Sequence, residues 1–248
     1  MNLVKAALHF ALPKLKIEES DRFLFFGPHP DDIEIGAGAT AAKLAAMGKT
    51  VRFVIVTDGR FGSETTEPEK LAGIRKAEAL ESARLLGVDD VVFLSFSDGG
   101  FYDADELYRA MVAEVSAFRP DIIFAPDPCV TSEFHKDHLN VGRAAGSIAC
   151  FAPYRGIMNE MGLHPSPVKA VAFFMTAKPD AFVRTGKYFR VQMKALSCHK
   201  SQFDEGNVIF TYLRLRSLNY GFRKLSLHAE AFRLLSQTEL HCLPERGK

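Results

Sequence analysis

The sequence predicts a three-layer α/β sandwich of the Rossmann-like kind, built on a doubly wound, mostly parallel sheet. Short apolar runs alternate with longer stretches of helical periodicity, and the links between them are short. Several of the runs also stop at a polar loop rich in Gly and Asp. Right-handed crossovers gather the loops at the carboxyl ends of the strands on one rim, where open α/β sheets bind their ligands. Any active site is expected on that rim.

Residues 22–26 form the first strand, because Phe23-Leu24-Phe25-Phe26 is short, continuous and aromatic-rich and is stopped by Gly27 and Pro28. Residues 36–47 form an alanine-rich helix ended by Gly48. Residues 50–56 are rich in valine and read as a second buried strand, stopping at Thr57-Asp58-Gly59. Residues 68–86 form a long helix, with Leu71, Ile74, Ala77, Leu80, Ala83 and Leu86 at roughly helical spacing and Gly87 at its end. A third strand over 91–96 leads into Ser97-Asp98-Gly99-Gly100. The helix over 104–118 puts Leu107, Met111, Val115 and Phe118 on one face, and Pro120 blocks its continuation. A fourth strand over 122–125, a loop over 126–138 and a helix over 139–151 follow. After Pro153 the pattern loosens, with a strand over 168–175, a short continuation at Val183, and helical stretches over 188–198 and 212–218. No repeat or linker interrupts the chain, so residues 1–248 read as one domain with residues 1–20 as an N-terminal extension.

Composition narrows the function. The 248 residues are 47% hydrophobic and 25% charged, which suits one large α/β domain with a substantial core. A net charge of +1 argues against a surface made for nucleic acid, which needs clustered Lys and Arg. The four cysteines are scattered without a Cys-x-x-Cys pair, which suits a reducing cytoplasm and excludes a zinc ribbon or dithiol motif. No stretch reaches the ~18 apolar residues that span a bilayer. Residues 1–16 read as a short amphipathic helix packed on the domain, with weak docking to a membrane surface or a partner as the alternative.

Two rim loops carry the chemistry. The first, Gly27-Pro28-His29-Pro30-Asp31-Asp32-Ile33-Glu34-Ile35-Gly36, sets an imidazole and two adjacent carboxylates within four residues. Adjacent acids repel unless a cation or a shared proton relieves them, and neutral imidazole and carboxylate are both zinc ligands. The second, His135-Lys136-Asp137-His138, follows the fourth strand. Its two histidines share a face if the helix has begun. Alone, each loop also reads as a helix start, with Asp as the N-cap. Together they supply two His and one Asp for a catalytic zinc, leaving two acids and one His for proton transfer and ligand orientation. That inventory suits metal-assisted hydrolysis. Among weaker candidates, Glu34 reads as a ligand support or a helix-start acid. Arg214, Arg216, Arg223 and Lys224, near Tyr212 and Tyr220, read as a solvated charge run or a phosphate site. His164, His228 and His241 read as structural or surface residues.

Residues 28–40 resemble the signature of the LmbE-like (PIG-L) zinc deacetylases. Further marks of that family follow in order: Thr57-Asp58-Gly59, Arg75 with Glu78, His135-Lys136-Asp137-His138, Lys194, His199-Lys200-Ser201-Gln202 and Ala229-Glu230-Ala231-Phe232. The resemblance covers residues 22–232. It implies His29, Asp32 and His138 as zinc ligands and Asp31 as the general base. It implies that His135 stabilises the oxyanion or protonates the leaving group, and that Asp137 orients a neighbouring histidine. Arg75 and Asp98 fall where relatives bind the sugar, and His199 and Gln202 match a stretch that closes over the site. Glu133 departs from the pattern, because some members carry Tyr there. The sequence would then recruit Tyr102 or Tyr154, or manage without.

The implied reaction is zinc-dependent hydrolysis of the acetamide of an N-acetylglucosamine-type sugar or its conjugate. A zinc amidase acting on a larger conjugate and an inactive sugar-binding relative are the alternatives. A small amino-sugar partner, a homo-oligomer and a cytoplasmic location are expected.

Overall fold

A computed structural model describes residues 15–241 apart from residue 205. The expected amphipathic helix over 1–16 lies almost wholly outside the described residues. After a short 3-10 turn at Ile17–Glu19, the order is β1 (Arg22–Gly27), α1 (Asp32–Ala46), β2 (Thr50–Thr57), α2 (Pro68–Leu85), β3 (Asp90–Phe96), α3 (Ala104–Phe118) and β4 (Ile122–Pro126). Then come α4 (Lys136–Phe151), α5 (Arg155–Glu160), β5 (Ala170–Phe174), β6 (Ala181–Arg184), α6 (Tyr188–Leu196), α7 (Val208–Phe222) and β7 (Ala229–Ser236).

The seven strands form one sheet in the order β3-β2-β1-β4-β5-β7-β6. The first five are mutually parallel, and β7 runs antiparallel to both β5 and β6. The sheet is therefore mostly parallel and three-layered, as the alternating pattern required. The chain reverses its direction of progress across the sheet at β1, which pairs with β2 on one side and β4 on the other. Such a switch point opens a crevice at the carboxyl ends of the strands.

Alternate residues of β1 feed two cores. Phe23 and Phe25 pack with Phe53, Phe124, Phe232 and the small residues of α1. Phe25 stacks on Phe124 at 4.2 Å between ring centroids. Leu24 and Phe26 pack with Val54, Ile123 and the apolar stripes of α3 and α4. Helix α1 is buried nearly all round, since its Ala and Gly residues let it lie between the sheet and α6. At Gly36 an added Cβ would lie 2.2 Å from the Phe174 ring, so only glycine fits there.

Several elements differ from expectation. Helix α1 starts at Asp32 and α4 at Lys136, earlier than 36 and 139, because their first turns are made of the polar residues of the two rim loops. Helix α7 spans Val208–Phe222 instead of 212–218. Helix α5 and strand β7 were not expected at all, and β7 turns the sheet's edge antiparallel.

Candidate metal centre

The loop after β1 is held in an unusual backbone conformation. Asp31, the N-cap of α1, has φ 128°, a region that L residues occupy only under strain. Arg75 of α2 holds it there. Its guanidinium donates to the Pro30 carbonyl at 2.9 Å, to Asp31 Oδ2 at 3.1 Å and to the Gly59 carbonyl at 3.0 Å. Gly59 is required beside it, with φ 68° and an added Cβ that would lie 2.5 Å from Arg75 Nη1. Arg75 is 4% exposed, so its guanidinium is buried against the loop it holds. Asp98 is likewise buried, and both of its oxygens lie 3.2 Å from the Phe61 amide, tying the loop after β2 to the loop after β3.

The two motif loops converge across the β1/β4 crevice. His29 Nδ1 lies 3.0 Å from Asp32 Oδ2, and His138 Nε2 lies 3.3 Å from the same oxygen. Those separations approach the ~3.4 Å between donors around a tetrahedral zinc with bonds of about 2.1 Å. Two trios bring their donor atoms within 4.8 Å of one another, His29-Asp32-His138 and His29-His135-Asp137. The second is already spent. Asp137 accepts from the Gly99 amide at 2.7 Å and the Tyr102 hydroxyl at 2.8 Å, and meets His29 Nε2 at 2.9 Å. Held from behind by Asp137, His29 turns Nδ1 toward Asp32. The first trio therefore fits a divalent metal.

His138 has an equivalent support. Its Nδ1 lies 3.0 Å from Glu133 Oε2, while Glu133 Oε1 accepts from the His135 amide at 2.8 Å. Glu133, which departs from the expected pattern, thus places a carboxylate behind His138. Of the two tyrosines considered as replacements, Tyr102 touches Asp137, whereas Tyr154 is exposed at the start of α5. His135 is the N-cap of α4 and stands 4.6 Å, ring to ring, from His29. Nearly half of its side chain is exposed, so it faces the crevice.

Charge is concentrated here. Burial and the neighbouring Asp32 push the Asp31 carboxyl up to about 7, against the pull of Arg75, His199 and His29. Burial also works against the Asp32 carboxylate, but His138 and His29 hold it well below the usual range. Burial works against the His29 imidazolium, yet Asp137 and Asp32 raise it to about 10. Burial and the rings of His29 and His138 lower His135. The crevice is thus a carboxylate cage that calls for positive charge, from protons or from a metal.

The stretch after α6 packs behind this layer. Fully buried His199 places Nε2 3.5 Å from Glu34 Oε1, and Ser201 donates through its amide and hydroxyl to Glu78 of α2 at 2.8 and 2.6 Å. Glu34 also accepts from Ser82, so it serves the packing of α1 on α2. Glu230, from the Ala229-Glu230-Ala231-Phe232 motif, accepts from the Ala39 and Thr40 amides and from Gln192. The motifs flagged its neighbourhood without its partners.

The sheet order and the His/Asp/His trio on its rim define a Rossmann-like protein with a candidate metal centre at the switch point. The family model PIG-L, described as GlcNAc-PI de-N-acetylase, matches residues 24–149. The diacetylchitobiose deacetylase of Thermococcus kodakarensis is 33% identical over 230 residues, 90% of this chain and 86% of that protein. The N,N'-diacetylchitobiose deacetylase structure from Pyrococcus horikoshii is similar with a TM-score of 0.87 at 31% identity, covering 98% of this chain and 93% of that one. GalB, a 4-carboxy-2-hydroxymuconate hydratase from Pseudomonas putida, shares the fold at a TM-score of 0.72 and 16% identity, over 91% of this chain and 97% of that one. The chain belongs to the PIG-L (LmbE-like) family.

Proposed function

We propose that this protein is a zinc-dependent hydrolase that removes the acetyl group from an N-acetylglucosamine-type sugar or its conjugate, giving acetate and a free amine. The observation that carries the reading is the His29-Asp32-His138 trio with a second carboxylate, Asp31, beside it that is not needed as a ligand. Zinc held by the trio would supply Lewis acidity and bring the pKa of water toward ~7. Asp31 takes a proton from water as its oxygen bonds to the acetyl carbon. Arg75 and the strained backbone keep Asp31 aimed while leaving its second oxygen for that proton. His135, at the open side of the trio, donates toward the oxygen of the tetrahedral intermediate. The carbon–nitrogen bond then breaks, and the proton held at Asp31 or on His135 passes to the amine. Asp137 and Glu133 orient the two ligand imidazoles. Arg75 and Asp98 contribute to sugar recognition through the loops they hold.

In support of this reading, the two relatives with about a third of their residues identical are named as diacetylchitobiose deacetylases. A homo-oligomer is supported by the apolar residues that α7 and the turn after it leave exposed, among them Phe222, Leu225 and Leu227. Among the described residues no helix is long and apolar enough to cross a membrane. Cys129, Cys150 and Cys198 are free thiols, in keeping with a cytoplasmic location.

The test is acetate release over a panel of N-acetyl sugars, with and without chelator. Asp31→Asn should retain zinc and lower turnover about 10²–10⁴-fold. Near-normal turnover in that variant would remove Asp31 from the chemistry, and release undiminished by chelator would remove the metal.

A further inference from the structure

We propose that Glu230 and Arg233 of β7 are positioning residues for the metal centre, each fixing one of the two elements that carry its ligands. The inference rests on the metal-centre reading above. It extends that centre to a strand outside residues 24–149, the stretch that the family model matches.

The sheet order sets this up. Strand β7 runs antiparallel to β5 with Arg233 opposite Phe173, so its first residues lie at the carboxyl end of β5, on the rim that bears the trio. Side chains alternate along a strand, so Glu230 and Arg233, three residues apart, face opposite layers. Glu230 faces the layer of α1. Its carboxylate accepts from the Ala39 amide at 3.1 Å, the Thr40 amide at 2.6 Å and Gln192 Nε2 at 2.8 Å. The same Gln192 nitrogen donates to the Glu34 carbonyl at 2.7 Å, in the first turn of α1 that Asp32 begins. Arg233 faces the other layer, with its guanidinium 4.9 Å from the Phe173 ring centroid and a hydrogen bond of 2.7 Å to Asp127 Oδ1. Asp127 opens the loop that carries Glu133 and His135 and leads into His138 of α4. It also accepts from the Cys129 amide at 2.9 Å and the Thr176 hydroxyl at 2.6 Å, while its own amide donates to the Phe174 carbonyl at 3.0 Å.

Stability does not account for these charges. Glu230, Arg233 and Asp127 are all buried. Taking ions out of water costs as much as their attraction returns, and well-packed apolar residues often replace a buried pair without loss. What a charged hydrogen bond adds over an apolar contact is a fixed direction and distance. One strand thus meets both halves of the trio: Asp32 through α1, and His138 through the loop after β4. The gap between those halves, 3.3 Å from His138 Nε2 to Asp32 Oδ2, is the one that must match a metal. His29 has its own supports, since Asp32 and Asp137 meet its two ring nitrogens.

The test is the zinc affinity of the full-length protein, by competition with a chelating dye, beside the Tm of the metal-free form. Asp127→Leu/Arg233→Met removes the ion pair whole and should hold Tm near wild type. It should nonetheless bind zinc about tenfold more weakly, the low end of what a lost support costs a metal site. Glu230→Gln should weaken zinc to a similar degree, because an amide NH2 would then face the donors that the carboxylate accepts from. Arg233→Lys and Glu230→Gln, which keep the side chain's size, carry the test if the double variant fails to fold. Asp121→Asn, at the opposite end of the strands, should lower Tm with zinc affinity as in wild type. Wild-type affinity in the β7 variants, or affinity that falls with Tm alike in these and in Asp121→Asn, would make both residues structural and overturn the proposal. Wild-type zinc affinity in His138→Ala would overturn the metal centre itself, and the positioning role with it.

Discussion

Glu133 meets both histidines of the second rim loop at once, one oxygen on the His138 ring and the other on the His135 amide. A carboxylate behind a ligand imidazole fixes the ring's tautomer and orientation, and losing such a partner costs typically 10–100-fold in metal affinity. Glu133→Gln should therefore weaken zinc binding by about that factor in a competition titration with a chelating dye. Affinity equal to wild type would leave Glu133 with no hold on the metal. A Tyr here would offer one hydroxyl, whereas Glu133 accepts from the His135 amide and meets the His138 ring at once. Arg75 shows the same economy: the family resemblance pointed it to the sugar, yet its hydrogen bonds run to the loop backbone and to Asp31.

At the scale of the elements, β1, β2 and β4 were legible because each is a short, largely buried apolar run with a polar rim loop at its end, and the half-buried edge strand β3 because it is rich in Val and Phe. The first turns of α1 and α4 were not, since Asp31, Asp32, His135 and Asp137 look like loop residues until the site they build is known. Strand β7 was hidden for a related reason. Buried Glu230 and Arg233 break its apolar pattern, and their partners, the α1 amides and Asp127, lie more than a hundred residues away. The site residues stood out by motif, but the pairing of Glu230 with the α1 amides crosses about 190 residues and carries no local signal.

Two predictions belong to this scale. Helix α4 touches the end of β4 at Gly142, where an added Cβ would lie 2.5 Å from the Pro126 carbonyl and 3.0 Å from Pro128. Backbone cannot swing aside, so Gly142→Ala should destabilise the fold by about 1–3 kcal/mol in urea titration. At the opposite end of the strands, Asp121 accepts from the Asp21 and Arg22 amides at 3.0 and 2.9 Å and pairs with Lys169 at 2.8 Å. Partial burial works against its charge, but Lys169 and the two amides hold its carboxyl below the ordinary 3.8. A depressed carboxyl adds stability above its unfolded pKa and loses it as pH falls through the folded value. Asp121→Asn should thus lower Tm at pH 7, and the gap to wild type should narrow below pH 3.8. A gap that stayed constant to pH 2 would show that the charge is idle.

For the whole molecule, the fold supplies a crevice and the loops decide the chemistry. A hydratase shares the architecture at 16% identity, so the sheet alone does not specify hydrolysis. What the sheet specifies is adjacency: β1 lies against β4 although about a hundred residues separate His29 from His138. That arrangement makes the centre divisible. The stretch 63–67 is largely exposed and joins β2 to α2. Cut there, the chain yields one piece with His29, Asp31 and Asp32 and another with Arg75, Glu133 and His138, and neither piece owns a full set of ligands. Mixing the two should restore zinc-dependent acetate release only when β1 and β2 re-enter between β3 and β4, which turns the reaction into a reporter of fragment complementation. Acetate release by either piece alone would mean that the trio is not the centre of the enzyme.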